Sequence, residues 1–257
     1  MKKLIIFATT NKNFISINLI KTIINSKLFK IEAIILKKKT PKKEIYFFKK
    51  KLNYKTKIYL TNSPEKNKML CSQISKNEIN LCICVGFEFL IKRNFLNLFA
   101  EGILNIHPSP LPLNRGCHHT FWAIYKKTNH GCTLHYMNEQ LDEGRIVDKI
   151  QFNIKESDTA EIIHEKNKLF MIKILKRNLK NIYKNKIFSN EQKKGTYHSK
   201  KELKKISLLE FSKKIKIEEL FRIIRGTKFQ NNGYHIYNKY NKRKYLITSE
   251  IKEIKRK

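Results

Sequence analysis

The sequence predicts an α/β protein: a doubly wound, mostly parallel sheet followed by a small C-terminal α+β module. Three observations carry this. Strand-length apolar runs alternate with helical segments over the first half of the chain. One run, Leu81-Cys82-Ile83-Cys84-Val85, is apolar throughout, as in a strand buried on both faces. Five of the eight glycines and three of the five prolines fall between residues 86 and 144. Gly and Pro go where a backbone must take special shapes, so that stretch is where a site is expected. In open α/β sheets, ligands sit beyond the carboxyl ends of the strands.

Taken in order, residues 4–8 form a short apolar run that breaks at Thr9 and Thr10. It reads as a buried strand rather than a secretory leader. Residues 15–24 place Ile15, Ile17, Leu19, Ile20, Ile23 and Ile24 at helical spacing. Residues 31–36 and 57–60 read as strands, and Pro64 opens a helix expected to reach about residue 75. After the apolar run at 81–85 come strands at 131–137 and 144–152. A long helix spans 159–183, with Ile162, Ile163, Leu169, Ile172, Leu175 and Leu179 as its apolar positions and Asp158 or Thr159 as N-cap. A Lys/Asn-rich connection starts at Lys184. Beyond it lie a segment at 202–206, a helix at 217–225 and short strands near 233–237 and 245–251. The expected domains are 1–184, catalytic, and 185–257, a small module for substrate contacts or dimerisation.

The net charge of +34 invites a nucleic-acid reading, but only 8 of the 55 basic residues are Arg and the lysines run the whole length. Arg is the better fork for phosphates and base edges, so a compositional drift toward Lys, Asn and Ile is preferred. Such a charge still steers anionic substrates. The five cysteines have no disulfide or zinc spacing. No apolar run is long enough to span a bilayer, and a cytoplasmic protein without a membrane or metal partner is expected.

The chemistry is carried by Asn105-Ile106-His107-Pro108-Ser109-Pro110-Leu111-Pro112. Strand alternation puts Asn105 and His107 on one face, and Pro108 ends the strand. A carboxamide and an imidazole are thus presented together where the strand ends. The second piece is Gln140-Leu141-Asp142-Glu143-Gly144. Asp occurs only at 142, 148 and 158, and one of the three stands two residues before a glycine. His118-His119 looks like a metal pair, but no ligand at suitable spacing completes it. Trp122, the only tryptophan, is expected in a helix core with Phe121 and Ile124.

The ordered set Asn105 to Gly116, Phe121-Trp122-Ala123-Ile124, Gly131 to His135 and Asp142 to Ile146 resembles the signature of the folate-dependent formyltransferases. The resemblance extends over roughly residues 1–183 and implies a Rossmann-like sheet. It implies transfer of a formyl group from 10-formyltetrahydrofolate to a primary amine, with Asn105, His107 and Asp142 as catalytic residues. Asn105 would donate to the developing oxyanion. His107 would take the amine proton or, when charged, stabilise the oxyanion; the sequence leaves that open. Asp142 would orient His107 and hold a relaying water. Gly86, Phe87, Phe89, Leu90 and Ile91, with Leu141 across from them, would bind the folate. Thr10, Asn11, Pro108, Ser109, Arg115 and His118 are candidate acceptor contacts. The stretch at 117–124 and the segments 194–203 and 222–229 are similar to sugar N-formyltransferases. A nucleotide-linked 4-amino-deoxy sugar is therefore the expected acceptor, with a homodimer as one use of the module. Initiator methionyl-tRNA is the alternative acceptor, and a non-catalytic basic RNA-binding protein on the same fold is a third reading.

Overall fold

The computed structural model describes residues 1–9, 15–52, 56–87, 89–210, 212–229, 233–238, 240, 242–248 and 251. The first half runs β1 (Lys2–Ala8), α1 (Ile15–Asn25), β2 (Phe29–Leu36), α2 (Lys42–Leu52), β3 (Lys57–Leu60), α3 (Lys68–Lys76), β4 (Cys82–Val85), α4 (Arg93–Leu96) and β5 (Ile103–His107). Then follow β6 (Arg115–Gly116), α5 (His119–Tyr125), β7 (His130–Tyr136), β8 (Ile146–Phe152) and α6 (Ala160–Tyr183). The last part holds β9 (Tyr197–His198), α7 (Lys200–Ser207), β10 (Leu208–Glu210), α8 (Ile217–Thr227), β11 (Tyr234–Asn238) and β12 (Arg243–Ile247).

The main sheet has seven strands in the order β3-β2-β1-β4-β5-β7-β8. The first five are parallel, while β7 and β8 add antiparallel. The order reverses at β1/β4, so a crevice opens where Ala8 and Val85 end their strands. Two cores cover the faces. Leu4, Ile6, Ile83, Leu104, Ile106 and Leu134 pack with α1, α2 and α6. Ile5, Phe7, Cys82, Cys84 and Ile103 pack with α3 and α4. Alternation along β5 therefore carries Asn105 and His107 on the same face as Ile103, beyond the end of that second core.

Several expectations are redrawn. Helix α2 was not foreseen: among its five lysines only Phe48 and Leu52 are buried, too thin a stripe to read. The segment expected as one helix from Pro64 splits into a single 3₁₀ turn, Pro64–Lys66, and α3. There the Asn67 side chain accepts the Leu70 N–H and starts a new helix. Helix α6 is capped by Thr159, which accepts from Ile162 N. Its buried stripe runs through Ile163, Asn167, Met171, Ile174, Leu175, Leu179 and Ile182, so Ile162 and Leu169 face outward.

The C-terminal module packs against the part that carries the main sheet. Its three strands order β10-β11-β12. Helix α8 lies against α5, and a Cβ on Gly226 would stand 2.7 Å from the Phe121 ring. The buried Arg225 donates to Asp158 O at 3.0 Å and Lys155 O at 2.8 Å, at the entry of α6. No helix among the described residues is long and apolar enough to cross a membrane.

Candidate active site

Strand β5 delivers Asn105 and His107 between two neighbours. In register, Asn105 faces Cys84 of β4 on one side and His135 of β7 on the other. The Asn105 amide nitrogen lies 3.1 Å from His135 Nε2. His135 Nδ1 is 2.7 Å from Tyr136 O, and a carbonyl can only accept, so the proton sits on Nδ1. Nε2 is then an acceptor for one Asn105 N–H, and the second amide hydrogen is left to a ligand.

His107 Nδ1 lies 3.4 Å from Asp142 Oδ1. Its Nε2 is buried and has no protein partner. Desolvation, reinforced by the neighbouring His135 and His130, pushes His107 down to about 3 against the Asn114 backbone hydrogen bond, which raises it. It is therefore neutral at pH 7. With Nδ1–H turned to Asp142, the free lone pair sits on Nε2. His119 packs edge-on against His107, with ring centroids 4.7 Å apart, and desolvation with His107 nearby pushes it to about 3 as well. His118 is exposed in the left-handed region at φ 58° and caps α5. Desolvation and then Lys200 lower it.

Asp142 also occupies the left-handed region, at φ 56°. Its Oδ2 accepts Gly116 N–H at 3.2 Å, so one carboxylate joins β5 to β6. Arg115 pairs with Glu143, which tethers the 112–117 loop to the same turn. The turn has no slack, because a Cβ on Gly144 would lie 1.8 Å from Tyr136 O.

The other expected residues divide. Gly86 has φ 78°, and a Cβ there would stand 3.0 Å from Thr9 Cγ2, so the backbone comes close at the mouth of the crevice. Phe87 packs tilted against Phe7 and edge-on against Phe89, with centroids at 4.6 and 5.4 Å. Leu90 is 62% exposed and Leu141 is 42% exposed, so both offer apolar surface. Ile91 is only 2% exposed and belongs to the core with Phe95 and Phe99, so its side chain is structural. Ser109 is wholly buried and its hydroxyl donates to Leu113 O. Its role is to shape the loop, together with Thr133, which accepts from Leu111 N and donates to Ser109 O. Pro108 is half-buried, and its carbonyl accepts from Asn167 Nδ2 at 3.3 Å. Arg115 is engaged by Glu143 rather than held out to solvent. Thr10 and Asn11 lie outside the described residues. Among the described residues, no group of three His, Cys, Asp or Glu could hold a metal ion.

Sequence reasoning did not foresee three neighbours of the expected residues. His135 was seen only as part of a motif, and its pairing with Asn105 depends on an antiparallel register that no local pattern reveals. His119 was read only with His118, not against His107. Gln192 lies fifty residues from Asp142, whose carbonyl it meets.

The formyl transferase family model matches residues 2–179. The methionyl-tRNA formyltransferase of Buchnera aphidicola is 32% identical over 234 residues, covering 88% of this chain and 73% of that protein. The enzyme of the same name from Pelagibacter ubique is 31% identical over 52% of this chain and 44% of its own. Among solved structures, a sugar N-formyltransferase from Shewanella sp. matches at TM-score 0.80 and 20% identity, over 99% of this chain and 100% of that one. A 4-N formyltransferase from Francisella tularensis gives 0.81 and 20%, over 98% and 99%. A glycinamide ribonucleotide transformylase from Symbiobacterium toebii gives 0.62 and 16%, over 75% of this chain and 95% of its own. With the ordered Asn105, His107 and Asp142 gathered at one crevice, the chain belongs to the formyl transferase family and is an enzyme of formyl transfer.

Proposed function

We propose that the chain transfers the formyl group of 10-formyltetrahydrofolate to the amino group of a nucleotide-linked 4-amino-deoxy sugar. The donor's formamide supplies an activated one-carbon unit. The crevice suits it: Gly86 is exposed at its mouth, exposed Leu90 and Leu141 offer apolar contact, and His107 Nε2 has no protein partner.

Each residue then has one task. Asn105, oriented by His135, aims an amide N–H at the carbonyl oxygen as it gathers negative charge. His107 is neutral, and its Nε2 takes a proton from the attacking amine. Asp142 fixes the Nδ1–H tautomer and balances the imidazolium that results. Its carboxylate, held by Gly116, steadies the ring while Nε2–H returns the proton to the leaving nitrogen. The burial of His107 beside His119 and His135 keeps the imidazole uncharged until needed.

The sugar acceptor is supported by one observation: the match in fold to sugar N-formyltransferases runs the whole length, through α7, α8 and β10–β12. The glycinamide ribonucleotide enzyme matches only 75% of this chain. Initiator methionyl-tRNA is the second reading, favoured by the sequence relatives and by the charge of +34. The test is an assay with 10-formyltetrahydrofolate against a panel of nucleotide-linked 3- and 4-amino sugars, with methionyl-tRNA alongside. Turnover of a 4-amino sugar is expected. Turnover of the tRNA alone, falling steeply with salt, would replace this acceptor with the second.

A further inference from the structure

The connection from α6 to α7, residues 184–199, is a strap that crosses both site loops. Asn190 bridges Ile146, N–H to carbonyl in both directions at 2.8 Å. Arg145 Nη2 adds a bond to Ser189 O at 2.9 Å. Farther on, Thr196 N donates to Pro112 O at 3.1 Å, Arg115 N to Thr196 O at 2.8 Å and Cys117 N to His198 O at 3.0 Å. Gly195 permits this closeness, since a Cβ there would fall 1.9 Å from Pro112 O.

Between these two stitches stands Gln192. Its Nε2 donates to Asp142 O at 2.9 Å and to Gly144 O at 2.7 Å. The two carbonyls bracket the bend, so one side-chain amide takes the place of the next rungs of the Asn190–Ile146 ladder. Asp142 occupies backbone space that non-glycine residues rarely hold, so the turn needs an external hold. The neighbouring Arg115–Glu143 pair is partly exposed on its carboxylate side and grips a side chain, not the bend.

We propose that Gln192 is a positioning residue for formyl transfer. It locks the Asp142 turn in the backbone state that aims the carboxylate at His107 and Gly116. The inference rests on the reading of Asp142 as the carboxylate that balances His107. A carboxylate at 192 would face two carbonyls and could not serve, whereas a side chain of equal size without donors would leave both carbonyls bare.

Three measurements test it on the full chain. In Gln192→Met, hydrogen exchange at the Gly116 amide, which donates to Asp142, should quicken about tenfold or more, while Arg115 and Cys117 hold their rates. With the acceptor that turns over in the panel, kcat should fall about ten- to a hundredfold. Affinity for 5-formyltetrahydrofolate should stay within about threefold, because the folate contacts are untouched. In an Asp142→Asn background the same substitution should cause no further loss of kcat. Gln192→Asn, with the amide on a shorter stem, carries the same expectations if the Met variant does not fold. Unchanged Gly116 exchange would overturn the clamp. Additive losses with Asp142→Asn would make Gln192 a general structural residue. Full activity of Asp142→Asn itself would remove the reading beneath the proposal, an outcome separable from the exchange result.

Discussion

His107 Nδ1 and Asp142 Oδ1 stand 3.4 Å apart although one ends a strand and the other sits on a left-handed turn thirty-five residues on. Neither element contains the pair; the meeting is made by the loops, and Gly116 N completes it through Asp142 Oδ2. Asp142→Asn keeps the size and the Gly116 bond but removes the charge. It should lower kcat by about 10²–10⁴ with unchanged circular dichroism. A variant that retains wild-type turnover would take Asp142 out of the chemistry.

The buried histidines make stability depend on pH. His107, His119 and His130 are each pushed to about 3, against an ordinary 6.5, with desolvation as the first cause. Unfolded, each binds a proton below 6.5; folded, it does not until near 3. Stability is therefore complete above about 6.5 and is lost as pH falls toward 3, at about 1.4 kcal/mol per pH unit for each group. Urea midpoints should drop between pH 7 and pH 5. His130→Gln, which leaves Asn105, His107 and Asp142 in place, should flatten the decline. An equal slope in that variant would contradict the buried neutral state.

Gly144→Ala should be felt twice, because its Cβ would overlap Tyr136 O. The turn must shift, lowering stability by about 2–3 kcal/mol and moving Asp142 off His107. Thermal unfolding and kcat should fall together. A stable, fully active Gly144→Ala would mean that the turn tolerates displacement.

Arg225→Met tests how firmly the C-terminal part is joined. Removing the guanidinium leaves the carbonyls of Asp158 and Lys155 without these donors and should lower stability by about 3 kcal/mol. Truncation after Tyr183 should go further, since α5 would lose its cover over Phe121. A truncate that stays monodisperse and cooperative in unfolding would show the two parts to be separable.

The parallel sheet was legible because its strands are near-continuous apolar runs, and Leu81 to Val85 is wholly buried as that pattern requires. Helix α2 was hidden by lysines that leave two buried positions in eleven residues. Asn105 and His107 were placed on one face by simple alternation. Asp142 was picked out by the rarity of Asp and the nearby glycine. The cross-strand partner His135 and the clamp Gln192 were not, since long-range register and a strap folding back over the sheet leave no local trace. Ile91 and Ser109 turn their side chains into the core, which leaves their backbones for any ligand contact.

The strap ends at His198, whose ring lies flat on Trp122 with centroids 3.9 Å apart and planes 12° off parallel. Trp122 is the only tryptophan in the chain. Its indole thus works as a built-in optical gauge. Emission from one chromophore reports whether the strap is seated, and a stopped-flow trace of that signal would time the last stitch of the site during refolding.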